Sequence, residues 1–447
     1  MAGGTITDME GKNSAPGAPR EMAPAPGKNR PASAGAPAPG KNRPAQAGRE
    51  PAPDAGGTAG APQGQSTEFS PARRHRRARH VRRFVLLAVL LAAMLAWVTG
   101  LFSASLAAAE DLIDSARISM LPSASFPQET GIADLFQLEE LSGGFVELGA
   151  ENCVVYSAGG NRLRSVQPGY AYPAISAGST RFLIYNRAGS ELRVESRTQT
   201  LYTKSYESSI LLAAMSRGGS FAVATEDSRY LARLMLYSSS MTEQLSWAMT
   251  EAEGTPIRMA YASDSRRLAV ATLAASEGQV VSRLFVLDAR SDSEVKLAEQ
   301  PGSVPLGLRW LSAREILVLY DNGAIVYSAS DGTQKAVYSY GGQSLLNWSE
   351  CGTDTALLLT GGAGTQAVVL DKGMQVTAGF SAPSAVRLTL TRTAVYVLTD
   401  TAVQCCSRAG VYQWQRDFET QPLAVLDSRQ LLVFTASSAD VLQQPAA

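Results

Sequence analysis

Short apolar segments recur through the C-terminal two thirds of the chain and predict an all-β fold, a β-propeller. Equivalent positions in these segments are 29, 39, 46, 48, 40, 39 and 36 residues apart, close to the length of one four-stranded blade. Gly, Ser, Asp and Asn separate the segments, and no long amphipathic helical pattern interrupts them. The sequence predicts seven or eight four-stranded blades, with eight favoured, preceded by one transmembrane helix and a disordered N-terminal tail.

The N-terminal tail, residues 1–72, is rich in Pro, Ala and Gly and contains a single aromatic residue, Phe69. Such a segment buries too little apolar surface to offset the entropy of ordering, so we expect it to be disordered. A 13-residue unit occurs twice in tandem, at residues 23–35 and 36–48. The tail is either a proline-rich ligand for a cytoplasmic partner or a solvated spacer.

A basic juxtamembrane segment, residues 73–83, precedes an uncharged and mainly apolar stretch, residues 84–109. Its seven arginines are Arg73, Arg74, Arg76, Arg77, Arg79, Arg82 and Arg83. The apolar stretch is long enough to cross a bilayer as a transmembrane helix, with the arginines anchored at the inner leaflet. By the positive-inside rule, the predicted location is the cell membrane, single-pass, with a cytoplasmic N-terminus and an extracytoplasmic C-terminal domain.

A cleaved signal peptide is the competing interpretation of the apolar stretch, because small residues at 103–109 could form a cleavage site. Two observations favour a retained anchor. The basic segment begins after more than seventy residues, and the apolar stretch is longer than a signal-peptide core.

The charge of the chain is unevenly distributed. Residues 1–83 have a net charge of +8 and residues 84–447 one of −8, which argues against nucleic acid or anionic lipid as partners of the outer domain. Both histidines, His75 and His80, lie in the basic segment, so the outer domain has neither a histidine-based nucleophile system nor a histidine metal site. We expect the four cysteines to be small buried residues and not a disulfide framework.

Residues 110–142 are predicted to connect the membrane span to the propeller, residues 143–447, with the helix continuing briefly past residue 110. Clear copies of the repeat occur at residues 216–224 and 263–271. The first copy is short and the last ends near Val441. We therefore expect strands from both ends of the domain to pair and close the ring.

The repeats resemble the blades of the WD40-like and quinoprotein-like propeller groups. The segment Gly410-Val-Tyr-Gln-Trp414 is similar to the glycine and tryptophan pairing of quinoprotein-type blades, whereas no Trp-Asp dipeptide and no Gly-His pair occurs. The whole layout resembles an uncharacterised family of bacterial single-pass membrane proteins with an extracytoplasmic propeller. This resemblance covers residues 84–447 and implies a fold, but no activity and no cofactor.

No residue is predicted to be catalytic, to bind a cofactor or to hold a metal ion. Five aspartates lie at predicted turns, where the side chain bonds its own backbone: Asp264, Asp288, Asp321, Asp331 and Asp371. Three aromatic residues recur at equivalent repeat positions: Tyr261, Trp310 and Trp348. Such aromatic residues either stack on a sugar or peptide or pack between blades, and periodic recurrence favours packing.

The predicted function is a binding or scaffolding module of the bacterial cell envelope that presents its loops and central face to a protein or glycan. Binding is favoured over enzymatic activity. The alternative is a carboxylate-dependent hydrolase or lyase acting on envelope polysaccharide. A cluster of acids and arginines at the channel mouth would favour that alternative, and scattered turn acids favour binding. A transmembrane sensor is a third, weaker hypothesis.

Overall fold

Eight four-stranded antiparallel sheets, one per blade, form the propeller. The computed structural model describes residues 111–132, 134–291 and 294–445, and seven residues between 84 and 94, all of them helical. Eight hydrophobic clusters each join two blades that are consecutive around the ring, and one of them joins the last blade to the first. The predicted all-β propeller and the preference for eight blades are confirmed.

The strands of the first four blades follow chain order from the innermost outward. Blade 1 contains β2 (Gln137–Leu141), β3 (Gly144–Leu148), β4 (Cys153–Ser157) and β5 (Arg162–Val166). Blade 2 contains β6 (Pro173–Ala177), β7 (Arg181–Asn186), β8 (Glu191–Ser196) and β9 (Thr200–Ser205). Blade 3 contains β10 (Ile210–Met215), β11 (Phe221–Thr225), β12 (Ala232–Tyr237) and β13 (Glu243–Met249). Blade 4 contains β14 (Thr255–Tyr261), β15 (Arg267–Ser276), β16 (Gln279–Asp288) and β17 (Glu294–Pro301).

The last four blades repeat this order, except that the final blade borrows a strand. Blade 5 contains β18 (Pro305–Ser312), β19 (Glu315–Tyr320), β20 (Gly323–Ser328) and β21 (Gln334–Ser339). Blade 6 contains β22 (Ser344–Cys351), β23 (Asp354–Gly361), β24 (Gly364–Leu370) and β25 (Val376–Ser381). Blade 7 contains β26 (Arg387–Leu390), β27 (Ala394–Leu398), β28 (Ala402–Ser407) and β29 (Tyr412–Asp417). Blade 8 contains β30 (Ala424–Asp427), β31 (Leu431–Phe434), β32 (Ser438–Val441) and β1 (Gln128–Glu129).

The burial of each strand follows from its position in the blade. The two middle strands are covered on both faces by neighbouring blades, so β3, β4, β11, β20 and β27 are buried at every residue. They are apolar apart from Glu147 of β3 and a terminal Ser or Thr in three of them. An outer strand such as β21 instead alternates between exposed and half-buried residues. Each blade thus supplies one side of two inter-blade cores.

The ring closes through β1, which pairs with β32 through Gln128 and Glu129. Just beyond it, the Thr130 backbone N–H donates to the Ser437 carbonyl at 2.9 Å, and the Tyr156 hydroxyl of blade 1 donates to the Thr130 carbonyl at 2.6 Å. Closure by strands from both ends of the domain is therefore confirmed. The described propeller strands begin at Gln128, before the predicted domain start at residue 143.

Side chains from neighbouring blades occupy part of the open edges of the innermost strands. Gln137 of β2 donates to the Ile175 carbonyl of β6 and accepts from the Ile175 N–H, both at 3.0 Å. Asn347 of β22 accepts from the Leu388 N–H of β26 at 3.1 Å. An unpaired strand edge needs such partners or water, and these contacts also join neighbouring blades at the centre of the ring.

A short helix, residues 111–119, packs on one face of the propeller; we call it the connector helix. Asp111 accepts hydrogen bonds from Arg181 at 3.1 and 3.2 Å, and the Ser115 hydroxyl accepts one from Arg197 at 2.6 Å. Both arginines are almost fully buried, and Ile118 is buried with them. These contacts attach the connector helix to blade 2.

Among the residues that the structure describes, no helix is both long and apolar enough to cross a membrane. Most of the predicted span, residues 84–109, lies outside the described part of the chain, so the transmembrane helix stays a prediction. The predictions for the tail, residues 1–72, and for the basic segment, residues 73–83, also fall outside the described residues.

Candidate functional site

A central cavity of about 1840 Å³ runs between the innermost strands and is lined by them and by the turns that follow them. Ser115 and Ile118 of the connector helix also line it. Four carboxylates face the cavity: Glu139, Glu140, Glu350 and Asp427. Six arginines do the same: Arg197, Arg217, Arg309, Arg387, Arg392 and Arg429. The cavity is therefore strongly polar and carries both signs of charge.

Glu139, in the middle of β2, is the most perturbed carboxyl of the cavity. The pKa of Glu139 is raised to about 7: burial is the main cause, a hydrogen bond from Gln137 at 3.3 Å opposes the rise, and the charge of Glu350 adds to it. Near neutral pH this group is therefore divided between its acid and its carboxylate. It can donate a proton or accept one, which is the property of a general acid or base.

Arg309 of β18 and Glu350 of β22 form an ion pair of 2.7 Å between the Arg309 Nε and a Glu350 carboxylate oxygen. The same guanidinium donates to the Asp354 carbonyl at 3.2 Å and to the Gly352 carbonyl at 2.5 Å. Arg309 is 9% exposed, whereas the Glu350 side chain is about half exposed. Arg309 thus holds the Glu350 carboxylate at the cavity wall with one edge open to a ligand.

A second cluster of charged residues lies around Glu140, near the turns that follow the innermost strands. Desolvation and the charge of Asp427 raise the pKa of Glu140, and the charges of Arg217 and Arg392 oppose that rise. Arg217 and Arg392 lie in the turns that follow β10 and β26 and are exposed. Among the described contacts, neither arginine forms an ion pair with a carboxylate, so both guanidinium groups can meet a ligand.

Four of the five predicted turn aspartates bond their own turns, as their sequence context indicates, and Asp321 bonds the neighbouring turn at residue 304 instead. Asp264 accepts from the backbone N–H groups of Arg266 and Arg267, and Asp371 accepts from those of Gly373 and Gln375. Asp288 and Asp331 accept from the backbone two residues on, and Asp321 accepts from the Val304 N–H. None of the five lines the central cavity.

The three recurrent aromatic residues pack between blades and also line the cavity. Tyr261, Trp310 and Trp348 pack against the clusters joining blades 3 and 4, 4 and 5, and 5 and 6, respectively. The Trp310 indole N–H donates to the Ala260 carbonyl at 2.9 Å. The packing interpretation accounts for their recurrence, while the edges that remain open give the cavity apolar surface.

The four cysteines are free, and Cys153, Cys405 and Cys406 are buried. Cys405 lies in the cluster between blades 7 and 8, and Cys406 in the cluster between blades 6 and 7. Their side chains therefore point to opposite faces of β28, as expected for neighbours on a strand. The prediction of small buried residues is confirmed for these three; Cys351 is half-buried.

The functional candidates Glu139, Glu140, Arg309 and Glu350 did not emerge from the sequence. They lie on the innermost strands, and no local motif distinguishes them. One signal was present: a small polar residue followed by Arg in the turn after an innermost strand, as at Arg217, and again at positions 391–392 and 428–429.

The fold and this cavity define the class: the protein is an eight-bladed β-propeller with a charged central cavity. More particularly, the chain belongs to DUF5711, a family of unknown function whose model matches residues 124–443. The sequence matches no curated protein.

Several solved structures share the fold. The computationally designed Ika8 protein has a TM-score of 0.51 at 13% identity, covering 71% of this chain and 98% of its own. Sqt1 of Chaetomium thermophilum, bound to the N-terminus of the ribosomal protein L10, has a TM-score of 0.50 at 11% identity, covering 70% and 98%. The C-terminal WD40 domain of Sif2 has a TM-score of 0.50 at 10% identity, covering 72% and 99%. The resemblance to WD40-like propellers is thereby confirmed at the level of fold.

Proposed function

We propose that this protein is a binding module of the bacterial cell envelope, anchored by one transmembrane helix and carrying its propeller outside the cytoplasm. Seven arginines before the apolar stretch, and Glu110 and Asp111 after it, support that orientation. The described residues between 84 and 94 are helical, as an anchor requires. A propeller suits recognition, because a rigid ring presents many loops on two faces.

The central cavity is the observation that supports a binding role. Its volume of about 1840 Å³ exceeds that of a typical small-molecule pocket, which is about 300–1,000 Å³. Both signs of charge and three aromatic edges line it, which suits a polar, extended ligand such as a peptide segment or an oligosaccharide. We propose a protein or glycan of the envelope as that ligand, held between Glu140 and the arginines of the neighbouring turns.

Photo-crosslinking in intact cells tests this binding site. A photoreactive amino acid at Arg392, beside the cavity, is expected to capture a specific adduct, and the same residue at Tyr230, 41% exposed in a β11–β12 turn, is the matched control. In the background of the double variant E140Q/R217Q, we expect the adduct yield to fall about tenfold or more, because charged hydrogen-bond partners of the ligand are lost. Equal yields at both positions would refute a cavity-centred site.

Glu139 and Glu350 favour a second candidate function, a hydrolase or lyase acting on envelope polysaccharide. A cluster of acids and arginines at the channel mouth is the feature expected of such an enzyme, and the cavity contains such a cluster. Glu139, with a pKa of about 7, would serve as general acid, and Glu350, held by Arg309, would serve as the carboxylate partner.

An assay for new reducing ends or unsaturated products tests the second candidate. Purified full-length protein in detergent would be incubated with isolated envelope polysaccharide, alongside E139Q, E350Q and a control, E151Q, which changes an exposed acid in a peripheral turn. If the protein is an enzyme, E139Q and E350Q each reduce the rate roughly a hundredfold or more, and E151Q leaves it unchanged. Absence of product with the unsubstituted protein would leave binding as the function.

A further inference from the structure

The connector helix fixes how far the propeller can stand from the membrane. In the proposed anchor the membrane span ends at Ala109, and only Glu110 separates it from the connector helix, which begins by residue 111. Asp111, bonded to the buried Arg181, is itself the attachment point on blade 2. A linker of one residue reaches only about 3.5 Å. With the span so placed, the proposed anchor holds the propeller close to the bilayer surface.

The same constraint decides which face of the propeller meets the bilayer. We call one face of the propeller the helix face, because it carries the connector helix. It also carries two turns of each blade: the turn between the first and second strands and the turn between the third and fourth strands. The opposite face carries the remaining turns. A span that ends beside Asp111 places the helix face toward the lipid.

The outer side of the connector helix presents exposed apolar residues, with Arg117 and Ser119 beside them. Leu112 and Ile113 are 73% and 65% exposed, and Met120, just past the end of the helix, is 82% exposed. The other side of the helix carries Asp111, Ser115 and Ile118 against the propeller. This division of polar and apolar sides is typical of helices that lie in the headgroup region of a bilayer.

The turns of the two faces carry opposite charge. The described turns of the helix face contain nine basic residues and three acids: Arg197, Arg217, Arg266, Arg290, Arg314, Lys372, Arg392, Arg408 and Arg429 against Asp264, Asp331 and Asp371. The described turns of the opposite face contain Arg187 and Arg229 against eleven acids: Asp134, Glu151, Glu207, Glu226, Asp227, Glu251, Glu253, Glu277, Asp321, Asp400 and Glu419.

Ion pairs occupy several acids at the strand ends of the helix face. Asp288 pairs with Arg266 at 2.8 Å and Asp354 pairs with Arg408, so two of the nine basic residues are neutralised, and Arg197 is buried. Six basic residues of these turns are exposed and have no ion pair among the described contacts: Arg217, Arg290, Arg314, Lys372, Arg392 and Arg429. The two faces are about 17–26 Å apart, the length of five to eight strand residues, which exceeds a Debye length of about 8 Å. The net charge of −8 for residues 84–447 therefore does not describe the helix face.

We infer that the helix face is a membrane-docking surface that rests on anionic phospholipid through the exposed apolar residues of the connector helix and through Arg290 and Arg314, exposed turn residues that do not line the central cavity. The acidic opposite face then points away from the lipid. The inference rests on the proposed anchor, which supplies the short tether. It replaces the expectation, drawn from net charge alone, that the outer domain avoids anionic lipid.

Lipid photo-crosslinking tests this orientation. Full-length protein carrying a photoreactive amino acid at Met120 would be reconstituted into vesicles of phosphatidylcholine mixed with phosphatidylglycerol. The matched control carries the same amino acid at Tyr172, which is 67% exposed in the β5–β6 turn of the opposite face. We expect a lipid adduct at Met120 and none at Tyr172. Lipid adducts at both positions or at neither, in protein that resists alkaline extraction, would overturn the docking surface while the anchor stands.

Alkaline extraction separates this failure from failure of the anchor. Protein that alkaline carbonate removes from the vesicles is not anchored by a transmembrane helix, and the proposed function and the docking surface would then both be wrong. The double variant R290Q/R314Q tests the charge contribution, with R187Q/R229Q as control. We expect the phosphatidylglycerol-dependent gain in adduct to fall about fivefold for each arginine removed from the helix face, and not to change in the control. An unchanged gain in R290Q/R314Q would refute the role of these two arginines.

Discussion

Glu147 is a buried acid in the core that closes the ring. It lies on β3 at 1% exposure, and neither carboxylate oxygen has a direct hydrogen-bond partner. Two positions from Phe145, it faces the core between blades 8 and 1, where the ring closes. Burial raises the pKa of Glu147 to about 8, and the nearby Thr130 only partly offsets the rise. At neutral pH the group is therefore mainly protonated.

The raised pKa predicts a pH dependence of stability. Between about pH 4.5 and pH 8 the unfolded chain releases the Glu147 proton while the folded chain retains it, so the free energy of unfolding falls with rising pH, by at most about 1.4 kcal/mol per pH unit. E147Q removes this fall. Urea unfolding across this range measures the difference, with E151Q, a substitution of an exposed acid, as control. A parallel pH dependence in wild type and E147Q would contradict the assignment.

At the scale of elements, the sequence predicts the strands far better than the cavity. Middle strands such as β27 (Ala394–Leu398) are covered on both faces, so their apolar runs are continuous and easily recognised. Innermost strands are shaped by contacts to the next blade, such as Gln137 to Ile175, which no local pattern encodes. Glu139 and Arg309 acquire their environment only when distant blades meet around the cavity, so their roles could not be predicted from the sequence.

The connector helix depends on its contact with blade 2, because nine residues form a marginal helix in isolation. D111A removes the carboxylate that accepts from Arg181 and Thr180. We expect the opening free energy of residues 111–119 to fall by about 2 kcal/mol, which corresponds to roughly thirtyfold faster amide exchange. L112A, at a 73% exposed position, is the control and should leave exchange unchanged. Equal exchange in wild type and D111A would show that Asp111 does not hold the helix.

At the scale of the whole molecule, the repeat period predicted both the blade number and the closure. The period does not predict which strands pair at the seam, the place where the last blade closes the ring. There β1 pairs with β32, although the two strands are far apart in the sequence. Because every hydrophobic cluster is shared by two blades, no blade has a complete core of its own. The ring should therefore unfold as one cooperative unit.

The seam is the weakest point of this ring, since β1 has only two residues. T130P deletes the backbone donor that bonds the Ser437 carbonyl. We expect the free energy of unfolding to fall by about 3 kcal/mol, and T130S, which keeps the donor, to stay close to wild type. Chemical unfolding followed by tryptophan fluorescence measures both. A wild-type midpoint in T130P would show that β1 does not close the ring.

Membrane topology is the central claim of the proposed function, and impermeant thiol labelling in intact, wall-stripped cells tests it most directly. A cysteine introduced at the exposed Tyr172 reports on the propeller, one introduced at Ser14 reports on the tail, and the unsubstituted chain gives the background from its four free cysteines. The account predicts labelling at position 172 in intact cells and at position 14 only after permeabilisation. Labelling of position 14 but not 172 in intact cells would contradict it.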